Sequence, residues 1–235
     1  MIPMEEEYYK VTFNRVIRCK KHRLSTALGD LCRDPDRFLM REHSHIVQNN
    51  FKSKIVLIRI DGTDLVIKYH NYKDSFHKFR RYFRPTRASR NWHFSKILRE
   101  KGIWVPEPVA CIESRIGILR GDSYFIYEYV SGMNGEEYFR KYRHSPEQAA
   151  LGMDLVVELV IKIKEIGLIH GDIRMSNLIF SNDRICLLDL DDIKPHAWYQ
   201  PKIIKNRDVR GLIKDIKYNI PEELQDQFLF RLSSI

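Results

Sequence analysis

The sequence is poor in cysteine: it has four in 235 residues, Cys19, Cys32, Cys111 and Cys186, with no CxxC pair among them. That spacing suggests neither a zinc site nor a disulfide framework, and a reducing cytosol fits it best. Long apolar runs are missing too. The best stretch, LVVELVIKI, is short and carries charges, which excludes a spanning helix. The opening MIPMEEEYYK is acidic where an export signal would be basic and then apolar, so no export signal is expected and any membrane contact is expected to be peripheral. There is no internal repeat and no low-complexity segment.

What is present is enough for a folded chain. Hydrophobic residues make up 43% and aromatics 11%, spread along the whole length, which excludes a largely disordered protein. The length suits one domain of two lobes or two small domains. The net charge of +9 favours an anionic partner: nucleic acid, a membrane surface, or a phosphorylated or carboxylated substrate. Much of the positive charge sits in KFRRYFRPTRASR, where Lys78, Arg80, Arg81, Arg84, Arg87 and Arg90 alternate with Phe79, Tyr82 and Phe83. Six cations in thirteen residues point to a binding role for the segment as a whole.

The pattern predicts a strand near YYKVTF and one or two helices between Leu24 and Glu42. In KIVLIRIDGTDLVIKYH two β-branched runs flank Asp61-Gly62, a strong hairpin cue. A helical stretch through the basic segment breaks at Pro85. The next helix runs from about Thr86 to Lys101, with Ala88, Trp92, Ser95 and Leu98 on one face and Gly102 at its end. VACIESR and SYFIYEYV read as strands joined by a glycine-containing turn, and SGMNG reads as a connector, so a lobe boundary falls near Ser131, dividing the chain into 1–130 and 131–235. Ser145-Pro146-Glu147 reads as a helix start with serine as cap, Leu151, Leu155, Leu159 and Ile163 as its apolar face, and Gly167 as its end. NLIF and ICLLDL form a small hairpin about Asn182-Asp183, and RDVRGLIKDI and PEELQDQFLFRL are helical. The order is a strand-rich lobe with one helix, then a helical lobe with one hairpin: an α+β fold.

The chemistry concentrates in HGDIRMSNLIFSNDRICLLDLDD, residues 170–192. If its two strands pair, Asn177 at the start of one and Asp189 at the end of the other sit side by side, with Asp172 a few ångströms away. Oxygen ligands so placed suit magnesium, which takes one or two protein ligands and completes its shell with phosphate and water. Phosphoryl transfer needs this arrangement, together with a carboxylate to accept the attacking hydroxyl's proton. His170 reads as a packing histidine that holds the loop. Asp191 and Asp192 read equally as site residues or as a solvated turn. Lys68 ends LVIK, where an inward ammonium would be costly without an anion, and the parallel with the kinase VAIK pattern favours phosphate binding. Glu128 to Val130 stand where backbone can meet an adenine edge, and Arg174 is placed to reach a transferred phosphate.

These segments together resemble the protein-kinase-like fold. Among its branches the resemblance is greatest to the bacterial lipopolysaccharide core kinases that phosphorylate Kdo or heptose sugars. It runs from about Lys54 to Ile216 and is carried by DGTDLVIKYH, RNWHFSKILREKGIWVPEPVA, SYFIYEYVSG, HGDIRMSN, LLDLDDI and RDVRGLIKDIKY. It implies a two-lobed molecule with an antiparallel-sheet N-lobe and a reduced helical C-lobe. It also implies ATP and Mg2+ as cofactors, Asp172 as the base, Asn177 and Asp189 as metal ligands, and Lys68 as the ATP-phosphate lysine.

Three departures from the protein-kinase pattern stand out. VQNNFKSKIVLI contains no glycine where the phosphate loop belongs. Asn91 stands where a glutamate would pair with Lys68. Beyond Asp189 lie 46 residues without an APE motif, so a peptide-docking platform and folded protein substrates are not expected. The expected activity is phosphorylation of a sugar hydroxyl of the lipopolysaccharide inner core at the cytoplasmic face of the inner membrane. Arg80, Arg81, Arg84, Arg87 and Arg90 would face the acidic glycolipid and the anionic bilayer, and nucleic acid is not expected as a partner. The alternatives are a small kinase of the RIO or tRNA-modification-complex type and a nucleotide-binding pseudokinase scaffold.

Overall fold

The structure, a computed structural model, describes residues 6–40, 45–49, 53–71, 84–196, 207–220 and 222–233. The chain divides into two compact units. One runs to Ile97 and includes Pro106–Tyr129; the other is Leu98–Val105 with the residues from Val130 onward.

The first unit is built on seven strands: β1 (Glu7–Val11), β2 (Arg15–Lys20), β3 (His45–Asn49), β4 (Ser53–Ile60), β5 (Thr63–His70), β6 (Pro108–Ile116) and β7 (Leu119–Glu128). They form one antiparallel sheet in the order β1-β2-β6-β7-β5-β4-β3. The Asp61-Gly62 hairpin forms as its sequence dictates. Both turn residues take positive φ, 49° and 77°, and the register runs from Ile60↔Thr63 to Ser53↔His70.

Strand side chains alternate between the two faces of the sheet. One face is covered by α1 (Thr26–Arg33) and α2 (Pro35–Leu39), whose Leu28, Leu31 and Phe38 pack on Leu65, Ile67 and Ile126. The other carries α3 (Arg87–Glu100), whose Ala88 and Trp92 pack on Cys111 and Phe125. The expected face of α3 holds, since Ala88, Trp92, Ser95 and Leu98 are all buried. Thr86 Oγ1 accepts the Ser89 amide at its start, and Gly102, at φ 74°, lies just beyond its end. The predicted helix through 78–84 lies mostly outside the described residues.

The second unit contains α4 (Gly135–Lys141), α5 (Pro146–Glu165), α6 (Arg207–Asn219) and α7 (Glu222–Ser233). Two small sheets complete it. β8 (Met133–Asn134), β10 (Leu178–Ser181) and β11 (Arg184–Leu187) form one, and β9 (Leu168–Ile169) with β12 (Lys194–Pro195) forms the other. Residues 98–105, read from sequence with the first lobe, belong here because the Leu187 amide donates to the Trp104 carbonyl at 2.9 Å and Arg184 lies over the Trp104 ring at 4.9 Å. No described helix is long and apolar enough to cross a membrane.

Three local expectations are corrected. SGMNG is more than a connector: Met133 and Asn134 pair with β10, and Asn134 and Glu137 form a reciprocal capping box on α4. Ser145 makes no side-chain cap, although Pro146 opens α5 as expected. Leu159 and Ile163 are buried as expected, but Leu151 is 37% exposed, and the buried stripe of α5 also takes in Met153, Val156 and Val160. A row spaced strictly by four drifts about 40° per step around a helix of 3.6 residues per turn, whereas alternating steps of three and four stay on one face.

Candidate active site

The loop after β9 runs His170, Gly171, Asp172, Ile173, Arg174 and then a tight turn, Met175–Asn177, into β10. Its main chain is held from one side by α6. Asp208 accepts the His170 amide at 2.8 Å and the Gly171 amide at 2.6 Å, and Asp215 accepts the Met175 amide at 2.7 Å. Asp208 is buried, so these bonds form where water cannot replace them. Between the two acids, Gly211 lets the helix approach closely: a Cβ there would stand 2.7 Å from the Ile173 carbonyl. Residues 208, 211 and 215 follow helical spacing and share a face. Sequence reading passed over all three, since the partners of the two acids are main-chain amides, which leave no signal in a sequence.

His170 is the packing residue expected. Its ring is fully buried; Nε2 faces the Leu188 carbonyl at 3.1 Å and Nδ1 lies 3.4 Å from the Asp172 amide. A carbonyl accepts and an amide donates, so the ring is neutral with its proton on Nε2. Burial pushes the imidazole below its ordinary value, against the opposing pull of Asp208 and Asp189.

Main-chain contacts tie the loop to the two ends of the hairpin. Asn177 Nδ2 donates to the Asp172 carbonyl at 2.9 Å, and the Leu188 amide donates to the Asn177 carbonyl at 2.9 Å. Asp189, the next residue, therefore sits at the end of β11 beside the start of β10. It takes a left-handed conformation, φ 62° and ψ 61°, which a non-glycine residue adopts only when its surroundings impose it. The Asp172 carboxylate accepts from Arg174 Nε at 2.9 Å, with both side chains partly exposed. Arg174 thus stands at the carboxylate end of the loop. Asp192 is half-exposed and pairs with Arg207 at 3.3 Å. Gly171, at φ 91°, also admits the Asp192 carbonyl, which would lie 3.0 Å from a Cβ at that position.

Among the described residues no group of three or more His, Cys, Asp or Glu can hold a metal ion. One carboxylate and one carboxamide oxygen, from Asp189 and Asn177, suit a hard divalent ion that takes the rest of its shell from phosphate and water.

In the first unit Lys68 lies on β5 opposite Ile55 and Phe125, on the sheet face that carries α3, and is only 8% exposed. Asn91 on α3 is buried and gives its side-chain amide to the Arg87 carbonyl. The Glu128 amide donates to the Glu107 carbonyl and the Tyr129 amide to the Asp64 carbonyl, while the Glu128 carboxylate pairs with Arg23. Of the three residues expected to meet adenine through their backbone, Glu128 and Tyr129 thus have their amides engaged within the unit. Arg84 and Arg87 are exposed, and Arg90 lies over the Phe94 ring at 5.8 Å. Arg80 and Arg81 lie outside the described residues.

An antiparallel sheet with one helix on the face of a buried strand lysine, and a helical unit with an acid-bearing loop and hairpin, define the protein-kinase-like class of phosphotransferases. Residues 48–227 match the family model described as the RIO domain, and the chain belongs to that family. It is 26% identical over 134 residues to a probable serine/threonine-protein kinase, YbdM, of Bacillus subtilis (strain 168), a match covering 53% of this chain and 52% of that protein. The match thus spans about half the length of that relative. The fold is similar to that of WaaP in a complex with acyl carrier protein, with a TM-score of 0.64 and 17% identity over 89% of this chain and 86% of that one. The kinase-like resemblance read from the sequence holds, and the family match falls on the RIO branch, which was the alternative there.

Proposed function

We propose that this protein is an ATP-dependent kinase acting on a sugar hydroxyl of an anionic glycolipid of the lipopolysaccharide inner core, at the cytoplasmic face of the inner membrane. The observation that carries the phosphotransfer reading is the tie from Asn177 to the Asp172 main chain with Asp189 next to it across the hairpin. Asp172 takes the proton of the attacking hydroxyl, and Arg174 neutralises charge on the transferred group. Lys68 supplies a cation for the triphosphate. Asn177 and Asp189 would hold Mg2+, which when bound draws charge off the phosphate oxygens.

The sugar acceptor is supported by the sequence resemblance to lipopolysaccharide core kinases and by the exposed guanidinium groups of Arg84 and Arg87, which suit an acidic glycolipid. A second reading, a serine/threonine protein kinase, is favoured by the RIO-domain match and by the name of the Bacillus relative. The same carboxylate can serve a serine hydroxyl. Incubation with γ-labelled ATP and either core glycolipid or total protein separates the two. Label in the lipid fraction and one added phosphate in its mass spectrum support the first; label confined to protein supports the second and ends the first.

A further inference from the structure

Two hairpin ends of the first unit meet at one place. The β1–β2 turn passes through Phe13 and Asn14, and the β6–β7 turn through Gly117 and Ile118. The Gly117 amide donates to the Phe13 carbonyl at 3.1 Å and the Arg115 amide to the Asn14 carbonyl at 2.9 Å. Turns are ordinarily tipped with small polar residues, yet these carry large apolar side chains in water. Phe13 is 76% exposed, Ile116 71%, Ile118 77% and Val11 51%. Left uncovered, they contribute nothing to the core.

Neither hairpin end carries an acidic residue of its own. No Asp or Glu occurs from residue 8 to 29 or from 114 to 121. Lys10 is exposed; the Arg15 guanidinium donates to the carbonyls of Cys32 and Arg33, which orients it without neutralising it; Arg115 flanks Ile116. A contiguous apolar patch marks an interaction surface, and its cations choose among the occupants. A second copy of the chain would bring like charges together. Nucleic acid matches the charge but has no use for aliphatic tips. Two protruding hairpin ends offer a protein no groove, whereas a deformable bilayer accepts them.

We propose that this end of the first unit docks on an anionic lipid bilayer, with Phe13, Ile116 and Ile118 entering the boundary between headgroups and acyl chains and Lys10, Arg15 and Arg115 facing lipid phosphates. The surface lies wholly within the first unit and does not depend on which hydroxyl the enzyme phosphorylates.

The test uses the full chain and vesicles of phosphatidylcholine with or without phosphatidylglycerol. The chain is expected to sediment with the anionic vesicles and much less with the neutral ones, and F13D/I118D to weaken that binding at least about tenfold with an unchanged melting curve. All four native cysteines are buried, so Phe13→Cys can be labelled selectively with an environment-sensitive dye. Its emission should shift to the blue on anionic vesicles and be quenched by brominated acyl chains. The proposal is overturned if the wild type ignores anionic vesicles and pairs with an acidic protein instead. It is equally overturned if F13D/I118D binds like the wild type, or if the dye at position 13 stays in water while the chain is bound.

Discussion

Asn177 turns its side-chain amide onto the main-chain carbonyl of Asp172, 2.9 Å away. That bond uses one of the two N–H donors of the amide, and Oδ1 is the atom of the group that a cation can use. Under the proposed reading the residue has two duties that asparagine combines: donor to the loop and oxygen ligand to Mg2+.

Asn177→Asp is the sharpest test of that pairing. Judged as a metal ligand alone, aspartate is the better residue. Placed against the Asp172 carbonyl it has no proton to donate, and two oxygens repel. Phosphotransfer is expected to fall about 10- to 100-fold, the usual cost of losing a partner that orients a ligand, and added Mg2+ should not restore it. Activity equal to the wild type would detach Asn177 from the loop's function.

Asp172→Asn removes the carboxylate proposed as proton acceptor and keeps the shape. The rate constant should drop about 10²- to 10⁴-fold while nucleotide binding, followed by the thermal shift with Mg-ATP, stays near that of the wild type. A variant that keeps its rate would assign the base to another residue.

Lys68→Met replaces a nearly buried cation with an apolar chain of similar length. Its expected signature is selective: the protein melts as a folded unit, but Mg-ATP no longer raises the melting temperature. The wild type gains about 2.7 kcal/mol when nucleotide is present at a hundred times its dissociation constant. An undiminished shift would remove Lys68 from the phosphate site. A wild type that shows no metal-dependent shift would instead favour the scaffold reading.

The parts legible in the sequence are those decided by local chemistry. Asp61-Gly62 and Asn182-Asp183 announced their turns because few residues tolerate positive φ, and all four adopt it. The pairing of β10 with β11 was legible for the same reason, and its register sets Leu178 opposite Leu187. Asp208 and Asp215 were not, because their partners are main-chain amides some forty residues away, and amides carry no mark in a sequence. The commitment of the Glu128 and Tyr129 amides was hidden for the same reason. The stripe of α5 was half legible: Leu159 and Ile163 are buried, but a row spaced strictly by four drifts off the face, so its early end is exposed at Leu151 while Met153 and Val156 take the buried positions.

The buried His170 ring gives the fold a pH dependence of definite sign. Its pKa lies below the ordinary 6.5, chiefly because burial penalises the charged form. The unfolded chain therefore binds more protons as pH falls through that value. The stability is complete above it and is lost on acidification towards the folded-state pKa, at up to about 1.4 kcal/mol per pH unit. Melting temperatures measured in chelator from pH 8 to pH 5 should hold steady and then decline, and His170→Asn should flatten the decline. Equal slopes for the two proteins would place the titrating group elsewhere.

Gly211→Ala tests whether α6 positions the loop or merely lies near it. By helix propensity alone, alanine inside a helix gains up to about 1 kcal/mol over glycine. Here the new methyl would stand 2.7 Å from the Ile173 carbonyl, a main-chain atom between residues whose amides Asp208 and Asp215 hold. The carbonyl cannot yield without breaking those bonds, so the helix must move away. Overpacking of this kind costs about 1–3 kcal/mol, which outweighs the propensity gain. The variant should melt lower than the wild type and transfer phosphate more slowly, through a fall in kcat with little change in KM for ATP. Asp208→Ala, which strips the acceptor from two buried amides, should reproduce that split with a larger loss of stability. If Gly211→Ala proves more stable and equally active, the contact between α6 and the loop is looser than 2.7 Å implies, and the loop owes its shape to Asn177 and the hairpin alone.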